Sequence, residues 1–397
     1  MESMKIVIIH NRYQTRGGEE KQVDEQIRLL EAKGHTVRVY SEDSQNFQKE
    51  SPVRKLLAMA QMPFSLTHYG RLRKMLRSFK PDAVHIHNVF PLLSPSVYYA
   101  CSAERIPVVQ SVHNYRFMCS NGLFLLPDGK ICERCRTGSH WNAVAFKCYG
   151  GKRSRSISMA LTLAMHQALG TFRDRIQAYV MTSQFLKSKL VESGFPADRM
   201  HLLPPLFEPV AKRTLEQEER TLLFIGRLSK EKGVSTLLQA AQRLPQWTLK
   251  IVGQGPMEDN LHREVALRRV SNVQFLGSVS YDALQILLQE ATFLVVPSEC
   301  YENFPTVFLE AWAFGLPVIA SRLGGMAEAV QEKLNGFLFT PGDASALASL
   351  IRTLGVEKSR SMREGILEQF QKTYASDLHY QKLMQTYQTV LDQTPSN

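Results

Sequence analysis

The sequence contains no run of about 18–20 purely apolar residues, so no segment is long enough to span a bilayer as a helix. Low-complexity tracts and short repeats are absent too. With 44% hydrophobic and 21% charged residues, global disorder, collagen and coiled coil are excluded. Cysteine is sparse, 6 in 397 residues. The opening MESMKIVIIHNRY holds one strand-like run, Ile6 to Ile9, which meets a charge at Arg12. It shows no cleavage-site pattern, so no signal peptide is read. The expectation is a cytoplasmic protein, where disulfides are not expected. Acidic side chains are scarce in one region: residues 51–200 hold 21 Lys+Arg against 7 Asp+Glu. Residues 1–205 carry 29 basic and 16 acidic side chains, whereas residues 206–397 carry 19 and 21. Such an asymmetry points the first half at something anionic: nucleic acid, an acidic membrane surface or a phosphate-bearing substrate. A solvated basic face with no partner is the plainer alternative.

What is present is an alternation of apolar strand-like runs and helix-length segments, the pattern of parallel α/β units. The first half offers strands at Lys5–His10, Thr36–Tyr40, Ala83–His87, Pro107–Val112 and Ala178–Thr182, with a helix over Glu20–Lys33 ended by Gly34. The second half restarts with strands at Thr221–Ile225, Leu249–Val252, Val273–Leu276, Phe293–Val296 and Pro317–Ala320. Helices fit Val234–Arg243, Met257–Arg268, Tyr281–Glu290 and Pro305–Ala313. A length of 397 residues exceeds the roughly 250–300 that one core fills, so two doubly wound domains are expected. The seam falls in Leu203–Glu219. The expected division is 1–205, 206–375, and a C-terminal helix in 376–397 packing back toward the N-terminal domain. Open α/β sheets bind ligands outside the carboxyl ends of their strands, so two facing sheets place the site in a cleft between domains.

Three stretches carry chemistry. Gly226-Arg227-Leu228-Ser229-Lys230-Glu231-Lys232-Gly233 follows a strand and precedes a helix. A glycine admits a ligand close to the backbone, and Arg227 and Lys232 suit a diphosphate. An ordinary charged turn reads the same way. In the second stretch, Pro305 suits a helix start, whose free N–H groups favour phosphate. Glu310 stands in an otherwise apolar helix, where a carboxylate is costly unless paired or ligand-bound. It suits a ribose diol, or else pairs with a nearby Arg. The third is Thr15-Arg16-Gly17-Gly18-Glu19-Glu20, whose paired glycines open a helix without the spacing of a dinucleotide fingerprint or P-loop.

Histidines end two strands. His113 follows Pro107–Val112, where a lone His is more often structural. His85 and His87 fall on one side of their strand by alternation and are candidates for an acceptor wall. Cys119, Cys132, Cys135 and Cys148 form a separate constellation, a Cys-x2-Cys pair flanked on each side by a single cysteine. Four thiolates suit a closed, structural zinc site. A redox pair, an iron–sulfur cluster or four unrelated thiols stay open. Cys101 and Cys300 read as ordinary buried cysteines. Lys152-Arg153-Ser154-Arg155 precedes the uncharged segment Ser156–Phe172, whose Ile157, Leu161, Ala164, Ala168 and Leu169 share one helix face. Val53–Lys80 carries Arg54, Lys55, Arg71, Arg73, Lys74 and Arg77. Both stretches suit an anionic membrane surface, and a core-packed helix with a basic cap is the alternative.

Glu302 and Glu310, separated by seven residues, resemble the E-x7-E motif of the retaining family-4 glycosyltransferases with the GT-B fold. The resemblance runs roughly from Lys5 to Tyr387 and is strongest from Phe224 to Pro341. It includes Ala320-Ser321-Arg322-Leu323-Gly324-Gly325 and a later turn at Asn335-Gly336-Phe337-Leu338-Phe339. It implies two Rossmann-like domains, the first binding an acceptor and the second a nucleotide-diphospho-sugar donor. Residue by residue, it implies that Arg227 and Lys232 hold the diphosphate beside Gly226. Glu310 would hold the ribose, and the backbone near Val279 the base. Glu302 and the backbone of Asn303, Phe304 and Pro305 would hold sugar hydroxyls and phosphate. Many members carry Gly where this chain has Asn303. The family's Gly-Gly loop falls on Gly17 and Gly18, and its histidine near the donor sugar on His113. A cysteine-bearing subset has a similar insertion, here near 119–148.

The expected activity is retaining transfer of a sugar, of hexosyltransferase type, to an acceptor hydroxyl in surface polysaccharide or glycolipid synthesis, at the inner face of the membrane. His113, Arg227, Lys232 and Glu302 are the expected catalytic residues. No Asp-x-Asp pair occurs, so no catalytic metal is expected. Two other readings are a zinc-containing nucleic-acid-binding protein and an inactive nucleotide-sugar binder. Nucleic acid is not the expected partner.

Overall fold

The computed structural model describes residues 3–13, 17–44, 50–207 and 220–393. The chain divides into two compact units, Met1–Leu206 with Ser376–Asn397, and Phe207–Ala375.

The first unit is built on six strands: β1 Lys5–Arg12, β2 Thr36–Asp43, β3 Ala83–Asn88, β4 Val108–Val112, β5 Ala178–Met181 and β6 Met200–Leu202. Their order is β2-β1-β3-β4-β5-β6, with every pairing parallel. Ile6, Val7, Ile8 and Ile9 are all fully buried, because helices cover both faces of a parallel sheet. β2, at the edge, has only half-buried and exposed residues. The helix Gly18–Ala32 presents Val23, Leu29 and Leu30 to the sheet, and Gly34 at φ 86° turns the chain into β2. The last helix, Ser376–Asp392, sinks Leu383, Tyr387 and Val390 into the same core as Ile6, Ile8 and Val109.

The second unit has β7 Thr221–Ile225, β8 Thr248–Val252, β9 Val273–Gly277, β10 Phe293–Val296, β11 Val318–Ser321 and β12 Gly336–Phe339. Their order is β12-β11-β10-β7-β8-β9, again all parallel. The order reverses between β7 and β10, and in the first unit between β1 and β3. Ligands of doubly wound sheets bind outside such switch points.

Two differences from the sequence reading concern strands. Gly336–Phe339, expected as a turn, is β12, fully buried and paired along β11. Gly336 lies where a Cβ would meet the Val318 carbonyl at 2.3 Å, so here glycine serves close strand packing, not a turn. β6, three residues long and partly exposed, lacks the apolar run that marks the other strands.

Candidate active site

In the second unit, two turns meet at the carboxyl ends of β7 and β10. After β7 the chain runs through Gly226 and Arg227 to a short 3-10 turn, Lys230–Lys232, then into the helix Val234–Gln242. Gly233 caps that helix at φ 66°, and a Cβ on it would stand 1.9 Å from the Pro297 carbonyl. Only glycine allows this approach. The Glu299 N–H donates to the Glu231 carbonyl at 2.8 Å. Thr236 Oγ1 donates to Glu299 at 2.6 Å.

This stitching brings together residues 70 positions apart. Lys232 Nζ donates to Glu302 Oε1 at 2.5 Å, and Ser298 Oγ donates to the same oxygen at 2.9 Å. Both partners are mostly buried. Burial works against the Lys232 charge, but Glu302 beside it more than offsets this, and its pKa is raised. Burial likewise pushes the Glu302 carboxyl up, while Lys232 and Ser298 pull it below its ordinary value. Both groups are therefore charged at neutral pH. Cys300, buried beside this pair, has its thiol pushed up, first by burial and then by Glu302.

The Glu302 backbone is held from the other side. Gly325 N–H donates to the Glu302 carbonyl at 2.7 Å, and a Cβ on Gly325 would overlap the Asn303 carbonyl at 1.7 Å. Arg227 is exposed, and Glu310 is 8% exposed within the helix Thr306–Trp312, which Pro305 precedes as N-cap. Phe304 is half-buried against the core. Val279 lies two residues beyond β9, half-buried. Gly226, Gly253 and Gly277 form a row across the carboxyl ends of β7, β8 and β9. A Cβ on Gly253 would stand 1.9 Å from the Gly226 carbonyl, and Gly253 N–H donates to Gly277. Gly253 and Gly277 escaped the sequence reading, although each directly follows or ends a strand.

The first unit gathers a polar cluster at its own switch point. His10, near the end of β1, is buried, with Nδ1 3.8 Å from Glu19 and Nε2 3.7 Å from Glu20. Glu20 accepts the N–H groups of Tyr13 (2.7 Å) and Gly17 (3.1 Å). Burial raises its pKa, but His10 and these donors lower it further, so it stays ionised. Glu19 is the opposite case. Burial first and the Glu20 charge second raise its pKa to about 8, although it accepts from Tyr13 Oη at 3.1 Å. Asn114 in turn donates to Tyr13 Oη at 3.1 Å. Gly17 is the N-cap of the helix that carries Glu19 and Glu20, and Gly18 its first residue. Thr15 and Arg16 lie outside the described residues.

On β3 and β4 the histidines stack. The His85 and His87 rings lie 4.6 Å apart at 5°, and His87 Nδ1 is 2.9 Å from His113 Nε2. Alternation did place His85 and His87 on one side. His85 is nevertheless no wall residue: it is fully buried, 2.7 Å from Tyr387 Oη and 2.8 Å from Ser111 Oγ. Burial, with His10 as the next charge, drops His113 to about 3, and His87 is likewise well below its ordinary value. Both are neutral imidazoles. They line a depression of about 290 Å³ with Asn88, Asn114 and Arg116. His10, Tyr13, Glu19 and Tyr387 were missed in the sequence. The available signal was an ionisable residue ending an otherwise apolar strand, at His10.

The cysteine quartet lies in the insertion between β4 and β5. Burial raises the Cys135 thiol to about 12, and Cys119, Cys148 and Cys132 add to the rise. Cys135 thus feels the other three. Among the described residues, however, no group of three or more His, Cys, Asp or Glu is placed to hold a metal. Zinc is therefore an expectation that the structure does not display.

Two doubly wound parallel sheets, each with polar groups at its switch point, match the architecture of the GT-B class of α/β proteins. The Glycosyltransferase Family 4 model matches residues 16–209, and the model of Glycosyl transferases group 1 matches residues 208–369. The chain belongs to the GT-B glycosyltransferases of family 4. It is similar to the glycogen synthase of Mycobacterium tuberculosis, 28% identical over 294 residues, covering 72% of this chain and 63% of that one. It is also similar to the sulfoquinovosyl transferase SQD2 of Arabidopsis thaliana, 33% identical over 300 residues, covering 74% and 53%. These matches span less than two thirds of the relatives' own length. HepE of Anabaena, solved in complex with UDP and glucose, shares the fold with a TM-score of 0.67 at 18% identity, covering 97% of this chain and 100% of that one.

Proposed function

We propose that the protein is a retaining glycosyltransferase that moves a hexosyl unit from a nucleotide-diphosphate sugar to an acceptor hydroxyl. The observation that carries this reading is the Lys232–Glu302–Ser298 constellation at the β7/β10 switch point. It is a largely buried cation held charged by its carboxylate partner, between turns that Gly233 and Gly325 allow to pack backbone against backbone. Arg227 and Lys232 hold the diphosphate, Glu310 the ribose and the backbone near Val279 the base. Glu302 and the Asn303–Pro305 backbone take sugar hydroxyls. As the bond from the anomeric carbon to the leaving phosphate oxygen loosens, negative charge grows on that oxygen. Fixed cations stabilise it without reorganising. The acceptor oxygen bonds to the anomeric carbon on the face the phosphate leaves. Its proton passes to the departing phosphate oxygen, so configuration is retained.

His113 belongs to the acceptor-binding first unit in this reading, as do Gly17 and Gly18. Its neutral imidazole suits hydrogen bonding to sugar hydroxyls. The basic first half fits an acceptor bearing phosphate or carboxylate, including a lipid-linked diphosphate in glycolipid or polysaccharide synthesis at a membrane surface. That HepE was solved with UDP and glucose supports a UDP-sugar as the first donor to try.

A ligand that binds only the folded state raises its melting temperature. Thermal melts against a panel of nucleotide diphosphates and their sugars should show a clear rise with one nucleotide family. Glu310→Ala should diminish that rise, because a ribose contact is lost. No rise with any nucleotide would remove the donor site.

The cysteine insertion is proposed to hold one structural zinc through Cys119, Cys132, Cys135 and Cys148. The support is the donor set itself, since four cysteines with a Cys-x2-Cys pair suit tetrahedral zinc, although among the described residues they are not gathered around one point. Elemental analysis of the purified chain should find one zinc per molecule. Its absence, with four freely reactive thiols, would sink this assignment.

A further inference from the structure

Among the described residues no helix is long and apolar enough to cross a membrane. Two helices of the first unit nevertheless turn apolar stripes outward. In the helix Pro52–Gln61, Val53, Leu56, Leu57 and Ala60 recur at the spacing of one helical face. Such a stripe ordinarily faces a core. Here Val53 is 67% exposed, Leu56 66% and Leu57 54%. The opposite face, with Lys55, Ala58, Met59 and Met62, is the more buried one. It is tied to the helix Arg153–Ala168: Ser158 Oγ donates to the Met59 carbonyl at 2.6 Å, and His166 Nε2 lies 2.7 Å from the Pro63 carbonyl. The second helix uses Met159, Ala160, Leu163 and His166 for its own buried face. Ile157 and Leu161 remain exposed, as does Leu169 just beyond its end. Single exposed apolar residues need no explanation, but outward stripes on two adjoining helices do.

The charge around these stripes is mostly basic; on the first helix Arg54 is paired with Glu50. Lys152, Arg153 and Arg155 stand exposed at the start of the second helix, and Arg71 and Lys74 on the helix Leu66–Phe79, which opens with the exposed Leu66. Arg73 and Arg77 differ, being paired with Glu104. Apolar stripes rimmed by Lys and Arg match a bilayer with anionic headgroups, which offers a hydrocarbon boundary behind negative phosphates.

We propose that the outward faces of the Pro52–Gln61 and Arg153–Ala168 helices dock the protein on an anionic lipid bilayer. Val53, Leu56, Leu57, Ile157 and Leu161 enter the headgroup boundary, and the flanking basic side chains contact lipid phosphates. This deepens the membrane part of the proposed function, and its test is independent of donor binding. The full chain is floated with vesicles of phosphatidylcholine alone or mixed with phosphatidylglycerol. Leu56→Glu/Leu57→Glu and Lys152→Ala/Arg153→Ala/Arg155→Ala are compared with the wild type.

Wild type should float with the anionic vesicles only. Each variant should bind them about tenfold or more weakly, since two buried leucines or three headgroup cations each exceed that factor. The positions are exposed, so melting temperatures and the shift caused by nucleotide diphosphates should not change. Failure of that nucleotide shift would count against the donor reading and leave the vesicle result standing. Equal flotation of the leucine variant and wild type would overturn the proposal. So would wild type that ignores vesicles but self-associates through these leucines, which would make the face a protein interface.

Discussion

Lys232→Ala is expected to lower kcat/KM for sugar transfer by about 10²–10³-fold, the usual loss when one preorganised stabiliser of leaving-group charge is removed. Two effects combine. The diphosphate loses a fixed cation, and Glu302 is left buried without its partner. Breaking a largely buried ion pair from one side destabilises the site, because the remaining charge is uncompensated. The sign of the accompanying titration follows. In the wild type, Lys232 overcomes burial and keeps the Glu302 pKa below its ordinary value. Without Lys232, burial alone acts, and the Glu302 pKa rises. Residual activity of the variant should therefore fall away at a higher pH than that of the wild type as acid is added. Lys232→Arg should not restore the rate fully, since a planar fork cannot replace a compact ammonium hydrogen-bonded to one carboxylate oxygen. Steady-state kinetics across pH would check all three statements. A Lys232→Ala enzyme with wild-type kcat/KM would remove Lys232 from the mechanism.

The two sheets were legible in the sequence because their central strands are buried on both faces. Runs such as Ile6–Ile9 and Phe293–Val296 then read as unbroken apolar segments. β12 was not legible as a strand, because Asn335-Gly336 carries turn chemistry while Gly336 in fact clears room for β11. The donor-side residues Arg227, Lys232, Glu302 and Glu310 could be singled out by motif. Their joining through Ser298 and Gly233 could not, since no local rule relates positions 70 apart. The same holds for His85, whose spacing placed it beside His87. Its depth is decided by Tyr387, which arrives from the other end of the chain. Glu19 and Glu20 stood in the sequence only as the two residues after the paired glycines. The structure gives them opposite ionisation, through a difference in burial and donors that adjacent identical residues cannot announce.

That difference makes Glu19→Gln the second strong test. The wild-type Glu19 carboxyl holds its proton up to about 8, against 4.5 for an ordinary glutamate. The unfolded chain loses this proton near the ordinary value. Stability from this group is therefore fully present below pH 4.5 and is lost progressively as pH rises toward 8. Each pKa unit corresponds to about 1.4 kcal/mol, so the loss amounts to a few kcal/mol. Glu19→Gln cannot ionise and can still accept from Tyr13 Oη. It should leave stability near pH 5 almost unchanged and raise it increasingly toward pH 9. Urea unfolding of both proteins at pH 5, 7 and 9 measures the difference. A difference that does not vary with pH would refute a neutral Glu19. The consequence reaches the site itself. With Glu19 neutral and Glu20 engaged by His10, Tyr13 and Gly17, the entry to the first unit's switch point carries one negative charge at neutral pH, not two. An anionic acceptor approaching His113 and Arg116 would then meet less repulsion than two ionised glutamates would exert.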